Sequence, residues 1–186
     1  MTRAQRWGWV ILAIAAALIL LFLTRTAAAQ DFSFMPKGGR TLLLGLLGAP
    51  ASASELRTVV QSRRSEAEWR AFLEGRGTLS ERERATLAAY LEVNMPLAPD
   101  VAASPDLAAA LPPDGRSLAE TECQSCHSIF SSYLTQSRDA QGWRNVFLSP
   151  FHKQLKMAPA QREEFARYSA LNMPMKVDDV PPDLRF

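Results

Sequence analysis

An all-α fold, with an N-terminal transmembrane or signal helix ahead of two small helical repeats, follows from three observations. No run stands out with the two-residue apolar and polar alternation of a strand. Helix formers gather instead into stretches bounded by Ser, Pro and Asn, the residues that start and stop helices. The third observation is internal similarity at a spacing near 76 residues, which predicts one helical unit laid down twice.

The N-terminal element comes first. Arg3 and Arg6 precede an uncharged apolar run from Trp7 to Leu23, and Thr24-Arg25-Thr26-Ala27-Ala28-Ala29 follows it. This is the pattern of an export signal, assigned to residues 1–29. At 17 residues the run is long for a signal-peptide core and short for a spanning helix. Ala27-x-Ala29 suits cleavage before Gln30, while Arg25 and the long core favour a retained anchor at residues 7–23. With Arg3 and Arg6 inside, the rest of the chain is expected on the periplasmic, extracytoplasmic side of a cell membrane. The net charge of +2 belongs to this segment: all 19 acidic residues but only 18 of the 21 basic ones follow position 29, a balance of −1. No basic stripe with interleaved aromatics is present, so a nucleic-acid partner has no electrostatic support.

The two copies then run in order. Gly39-Arg40-Thr41-Leu42 matches Gly115-Arg116-Ser117-Leu118. Ser62-Arg63, Trp69-Arg70 and Phe72-Leu73 match Ser137-Arg138, Trp143-Arg144 and Phe147-Leu148. Tyr90-x-x-x-Asn94-Met95-Pro96 matches Tyr168-x-x-x-Asn172-Met173-Pro174, and the offset drifts only from 74 to 78. The first copy occupies 36–97, a Pro- and Ala-rich linker 98–112, and the second copy 113–186. In the first copy, 80–93 reads as a helix whose Ser80 and Glu83 have capping-box spacing. In the second, 117–122 is helical, and so is 160–171, with Pro159 at its start and Phe165, Tyr168 and Leu171 on one face. Asn172 before Met173-Pro174 is a helix stop, by a left-handed Asn cap and a proline that blocks continuation.

Between the helices of the second copy stands Cys123-Gln124-Ser125-Cys126-His127, which uses both cysteines of the chain. C-x-x-C-H is the covalent attachment site of c-type haem. Two thiols at that spacing can each add to one vinyl group, and the adjacent imidazole reaches the iron from the same side. A disulfide across three residues is strained, and dithiol redox chemistry would need a βαβ setting that the sequence lacks. Zinc would require Cys123, Cys126, His127 and His152 all to close on one tetrahedron. The facing positions of the first copy, near Leu47-Gly48-Ala49-Pro50-Ala51, offer neither thiol nor imidazole, so one haem per chain is expected.

These residues resemble the class I c-type cytochrome family, in which a helix leads into C-x-x-C-H and a C-terminal helix packs across it. The resemblance covers roughly 113–175 and implies a small all-α haem fold with His127 as proximal iron ligand. Family order puts a distal methionine ahead of the last helix, where Met157 stands with Ala158-Pro159 beside it. Comparison of the copies adds a filter. Met173 has a counterpart in the haem-free copy, Met95, whereas Met157 and Met175 face Leu79 and Leu97. His152 has no histidine counterpart either and would make a bis-histidine haem of lower potential. Met157 is the first choice; Met175, His152 and Met173 stay open. Trp143, Phe147 and Tyr168 are candidates to line the haem, and at helical spacing they read as core rather than as a dedicated electron path.

The expected function is a membrane-anchored monohaem c-type cytochrome, not an enzyme, passing single electrons between a donor and an acceptor redox protein. Two alternatives remain open: a dedicated cytochrome subunit of a larger oxidoreductase or respiratory or photosynthetic complex, and a haem enzyme or sensor with an open sixth position.

Overall fold

Several helix starts in this protein, at Ser65, Ser80, Asp106, Asp114 and Asp139, are set by side chains that take up the orphan N–H groups of the first turn. The computed structural model describes residues 31–185 apart from position 125. The apolar run at 7–23 lies outside them. Among the described residues no helix is long and apolar enough to cross a membrane, and no strand occurs. The chain divides after Phe32, and the unit from Ser33 onward carries every element below.

The helices are α1 (Gly39–Leu47), α2 (Ala53–Val60), α3 (Glu66–Leu73) and α4 (Glu81–Asn94), two short turns α5 (Pro99–Ala102) and α6 (Leu107–Ala110), then α7 (Gly115–Glu122), α8 (Ala140–Val146) and α9 (Pro159–Asn172). Ser65 and Glu68 form a capping box on α3, and Ser80 and Glu83 form the one expected on α4. Asp114 Oδ1 accepts from Ser117 N at 2.9 Å to start α7, and Asp139 Oδ1 accepts from Gly142 N at 2.6 Å to start α8. On α9, Pro159 takes the first position and Gln161 Oε1 accepts from Ala158 N at 2.7 Å.

The helix stops differ from the sequence reading. No non-glycine residue has positive φ among the described residues, and Asn94 and Asn172 are the last helical residues rather than left-handed caps. Each donates its side-chain N–H back to the carbonyl four residues earlier, Asn94 to Tyr90 and Asn172 to Tyr168, both at 2.9 Å. The chain then leaves through an extended Met95 or Met173, and the following proline bars another turn. Both Met-Pro bonds are cis.

Contacts recur at the matched positions. A Cβ on Gly39 would lie 2.1 Å from Tyr90 Cβ, and one on Gly115 2.1 Å from Tyr168 Cβ, so each glycine lets a tyrosine of the long helix pass. Leu97 N donates to Val60 O at 2.8 Å, and Met175 N to Leu134 O at 2.7 Å. The tyrosine hydroxyls cross over: Tyr90 donates to Pro112 O at 2.9 Å, ahead of α7, and Tyr168 to Pro36 O at 2.6 Å, ahead of α1. Arg64 lies over Trp69 at 4.6 Å as Arg138 lies over Trp143 at 5.5 Å. The contact thus pairs Arg138 with Arg64, not with the Arg63 beside Ser62, because the stacked arginine stands five residues before each tryptophan.

Helices α4 and α9 pack on each other, with α1 and α3 against α4 and with α7 and α8 against α9. Asn172 Nδ2 donates across this contact to Thr86 Oγ1 at 3.1 Å. The first core gathers Leu42, Leu43, Val60, Trp69, Leu87 and Tyr90. The linker joins it, since Ala102, Leu107 and Leu111 are buried there and Arg57 Nη1 donates to Ala102 O at 3.0 Å. A charge hub ties four helices together. Arg167 pairs with Glu163 at 2.7 Å, with Glu66 at 3.4 Å and with Glu92, while Arg144 meets both oxygens of Glu163 at 2.7 and 2.8 Å.

Candidate functional site

Helix α7 ends at Cys123, whose N–H donates to Ala119 O at 3.1 Å, and the chain turns there through Cys126 and His127. A cavity of about 650 Å³ opens at this turn, inside the size range of cofactor sites. Cys123, Cys126 and His127 form one edge of it. The two cysteines are not bonded to each other; Cys123 is half-buried and Cys126 exposed. Burial pushes the Cys123 thiol up to about 12, with Glu122 and Cys126 adding to the shift.

The opposite boundary comes from the second half's aromatic residues. Tyr133, Trp143, Phe147 and Phe165 stack edge to face or tilted at 5.2 to 5.9 Å between ring centroids, and all four line the cavity. Helix α8 supplies Trp143 and α9 supplies Phe165, which is why the packing of α8 on α9 builds the site. Tyr133 is fixed from behind by a 2.9 Å hydrogen bond between its hydroxyl and Ser169 Oγ. Polar groups at the cavity are few. Arg138 lines it, and Trp143 Nε1 is buried with no hydrogen-bond partner among the described residues. Glu122, Ser132, Asn145 and Ser149 line it as well, and Trp69 Nε1 in the first half is buried and unpartnered among the described residues in the same way.

The histidines are held by their neighbours. A π-helical turn, Phe130–Leu134, follows His127 and brings Ser132 Oγ within 2.7 Å of its Nδ1. The Ser132 hydroxyl donates its own hydrogen to Ser128 O, so it accepts from His127 Nδ1–H and leaves Nε2 with a free lone pair. His152 begins a 3₁₀ turn, His152–Gln154, and its Nδ1 lies 3.1 Å from Val146 O. A carbonyl only accepts, so this ring also carries its proton on Nδ1. The two rings lie 6.2 Å apart, centroid to centroid, with their planes at 77°.

Met157 and His152 both line the cavity with His127; Met157 is buried in its wall. Met173 and Met175 are not among the lining residues: Met173 is buried elsewhere, and Met175 is half-buried where its backbone meets Leu134. Trp143 and Phe147 border the cavity, but Tyr168 does not, being turned toward Gly115 and Pro36. Sequence reasoning did not single out Ser132, Tyr133, Phe165 or Arg138 as site residues. Their only signals were proximity to the motif, a shared helix face and membership of the repeated pattern.

The first half has a smaller hollow bordered by stacked arginines. Arg64 and Arg76 lie on Phe72 at 4.4 and 4.0 Å, and Arg76 pairs with Glu55. A hollow of about 360 Å³ remains beside them, lined by hydroxyls, Glu55, Val59, Phe72 and the two arginines, with no thiol or imidazole. Comparison of the chain with protein-family models, curated proteins and solved structures gives no match.

The second-half cavity fits a haem by its chemistry. It has two thiols at thioether spacing, an imidazole with Nε2 free, largely apolar walls, and an arginine suited to a carboxylate.

Proposed function

We propose that this chain is an exported, membrane-anchored monohaem c-type cytochrome that carries single electrons between redox proteins. The observation that carries the reading is the convergence of Cys123, Cys126 and His127 on one apolar cavity that two further ligand-type side chains, His152 and Met157, also line. Haem supplies reversible one-electron exchange at its iron when bound. In this reading Cys123 and Cys126 fix it as thioethers, and Ser132 orients His127 as proximal ligand. Arg138 would pair with a haem carboxylate, while the Tyr133, Phe147 and Phe165 rings would exclude water and hold the potential up. With His152 and Met157 both at hand, an open sixth position is no part of this reading.

The first half is proposed to be a haem-free copy of the second. The matched glycine–tyrosine contacts and crossed hydroxyl bonds support that relation, and the hollow beside the Arg64–Phe72–Arg76 stack is lined by no thiol or imidazole. Residues 7–23 are proposed to stay as the anchor on the membrane, with the haem on the periplasmic side; a mature protein beginning at Gln30 would refute this.

A second reading, a dedicated subunit of a larger oxidoreductase, is favoured by one observation. Phe151, at the cavity mouth, is 82% exposed and Leu148, nearby in sequence, is 64% exposed, an apolar rim suited to a fixed partner.

Haem staining after denaturing electrophoresis tests the main proposal. Staining should survive acid-acetone extraction in the native chain and disappear in Cys123→Ser/Cys126→Ser. Haem that is extracted by the solvent, or more than one per chain by pyridine haemochrome, defeats it.

A further inference from the structure

Resting on the reading of the cavity as a haem site, we infer that His152 is the second axial ligand opposite His127, and that Met157 is a wall residue. The separation of the rings is the first ground. Imidazole–metal bonds run to about 2 Å, so two such bonds and the radii of two rings together span the 6.2 Å between these centroids. The protonation pattern is the second. Ser132 accepts from Nδ1 of His127 and Val146 O accepts from Nδ1 of His152, so each ring has its Nε2 lone pair unused. Metal-bound imidazoles characteristically donate their other N–H to a fixed acceptor, which sets both tautomer and ring direction. Both histidines meet that condition.

The turn carrying His152 is itself pinned. Lys153 N donates to Ser149 O at 2.9 Å and Leu155 N to His152 O at 3.2 Å. Arg162 Nη2 bonds Leu155 O at 3.2 Å, and its Nε bonds Met157 O at 3.2 Å. Arg162 therefore braces the whole segment from the side of α9. Met157 shares the cavity, but a thioether has no N–H through which its neighbours can aim it. Its buried side chain is part of the wall that Leu155 and Phe165 also line, as methionine is in irregular cores.

The test uses the full-length chain matured in a host with a haem-attachment system. Ferric protein should give the strongly anisotropic low-spin paramagnetic resonance signal of two imidazoles with nearly perpendicular planes, following the 77° between the rings. It should lack the weak near-infrared band of sulfur-ligated ferric haem. Met157→Leu should leave both features unchanged. His152→Ala should lose the low-spin signal while keeping the covalent haem, and added imidazole should restore it.

A sulfur band in the native chain that Met157→Leu or Met175→Leu abolishes overturns the assignment. So does a low-spin signal that persists in His152→Ala. If that variant does not fold, the resonance and near-infrared spectra of the native chain still decide. Absence of covalent haem from the native chain is a separate result, and it removes the haem reading itself.

Discussion

Gly115 shows how much one missing methyl group decides here. The backbone of α7 passes so close to Tyr168 that an added Cβ would sit 2.1 Å from the tyrosine's own. Gly115→Ala should therefore cost about 1–3 kcal/mol or more, as overpacking does, read from urea unfolding followed by circular dichroism. Beside it, Glu164 is a buried acid. Its Oε1 accepts from Gly115 N at 3.0 Å, while Oε2 has no partner among the described residues. Burial first, and the nearby Asp114 and Glu163 charges after it, raise this carboxyl to about 8 against the Gly115 N–H and Arg167, which pull it down. A raised carboxyl stabilises the fold below its ordinary 4.5, and that contribution is lost as pH climbs through about 8. Glu164→Gln mimics the protonated acid. Its melting temperature should fall less than the native chain's between those pH values; an equal fall would show that Glu164 is ionised in the folded state.

At the scale of elements, local chemistry was the most legible part of the sequence. The Ser80 and Glu83 box announced α4 because capping is decided within four residues. The helix stop at Asn172 was placed correctly by Met173-Pro174, but its mechanism was not. Asn94 and Asn172 both donate backward to the carbonyl four residues earlier, and Asn172 also reaches Thr86, a partner 86 positions away in the chain that local spacing cannot reveal. The π turn at Phe130–Leu134 had no periodic signature, so Ser132 went unnoticed behind His127. Likewise 98–112 has linker composition, yet Leu107 and Leu111 find a core to enter. Asp114 is the cap with the widest reach, for it also accepts from Thr41 N at 3.2 Å through Oδ2 and so joins α7 to α1. Asp114→Ala should cost more than the roughly 0.5–2 kcal/mol of an ordinary cap, because Thr41 also loses its acceptor. Denaturant midpoints for Asp114→Ala and Ser80→Ala, measured side by side, check this; equal losses would confine Asp114 to capping α7.

For the molecule as a whole, the charge hub sets behaviour in acid. Hydrogen bonds from Arg144 above all, then those from Arg167, hold Glu163 down to about 2 against its burial. A depressed carboxyl stabilises the fold above its ordinary 4.5, and the contribution disappears as pH falls toward about 2. Since Glu163 is only half-buried and solvent still screens the pair, the loss is a modest one. Glu163→Gln should narrow the gap in melting temperature between pH 6 and pH 3, and a gap as wide as the native chain's would place the acid sensitivity elsewhere.

The crossed tyrosines carry a consequence for inheritance. Tyr168, on the helix that walls the cavity, spends its hydroxyl on Pro36, and Tyr90 spends its own on Pro112. A gene that dropped the thiol-free half would leave the Tyr168 hydroxyl without its Pro36 acceptor, so selection on whatever the second half does is enough to keep both halves. What reads as a relic in the first half is then better understood as a permanent brace, free to change every residue except those its sister leans on.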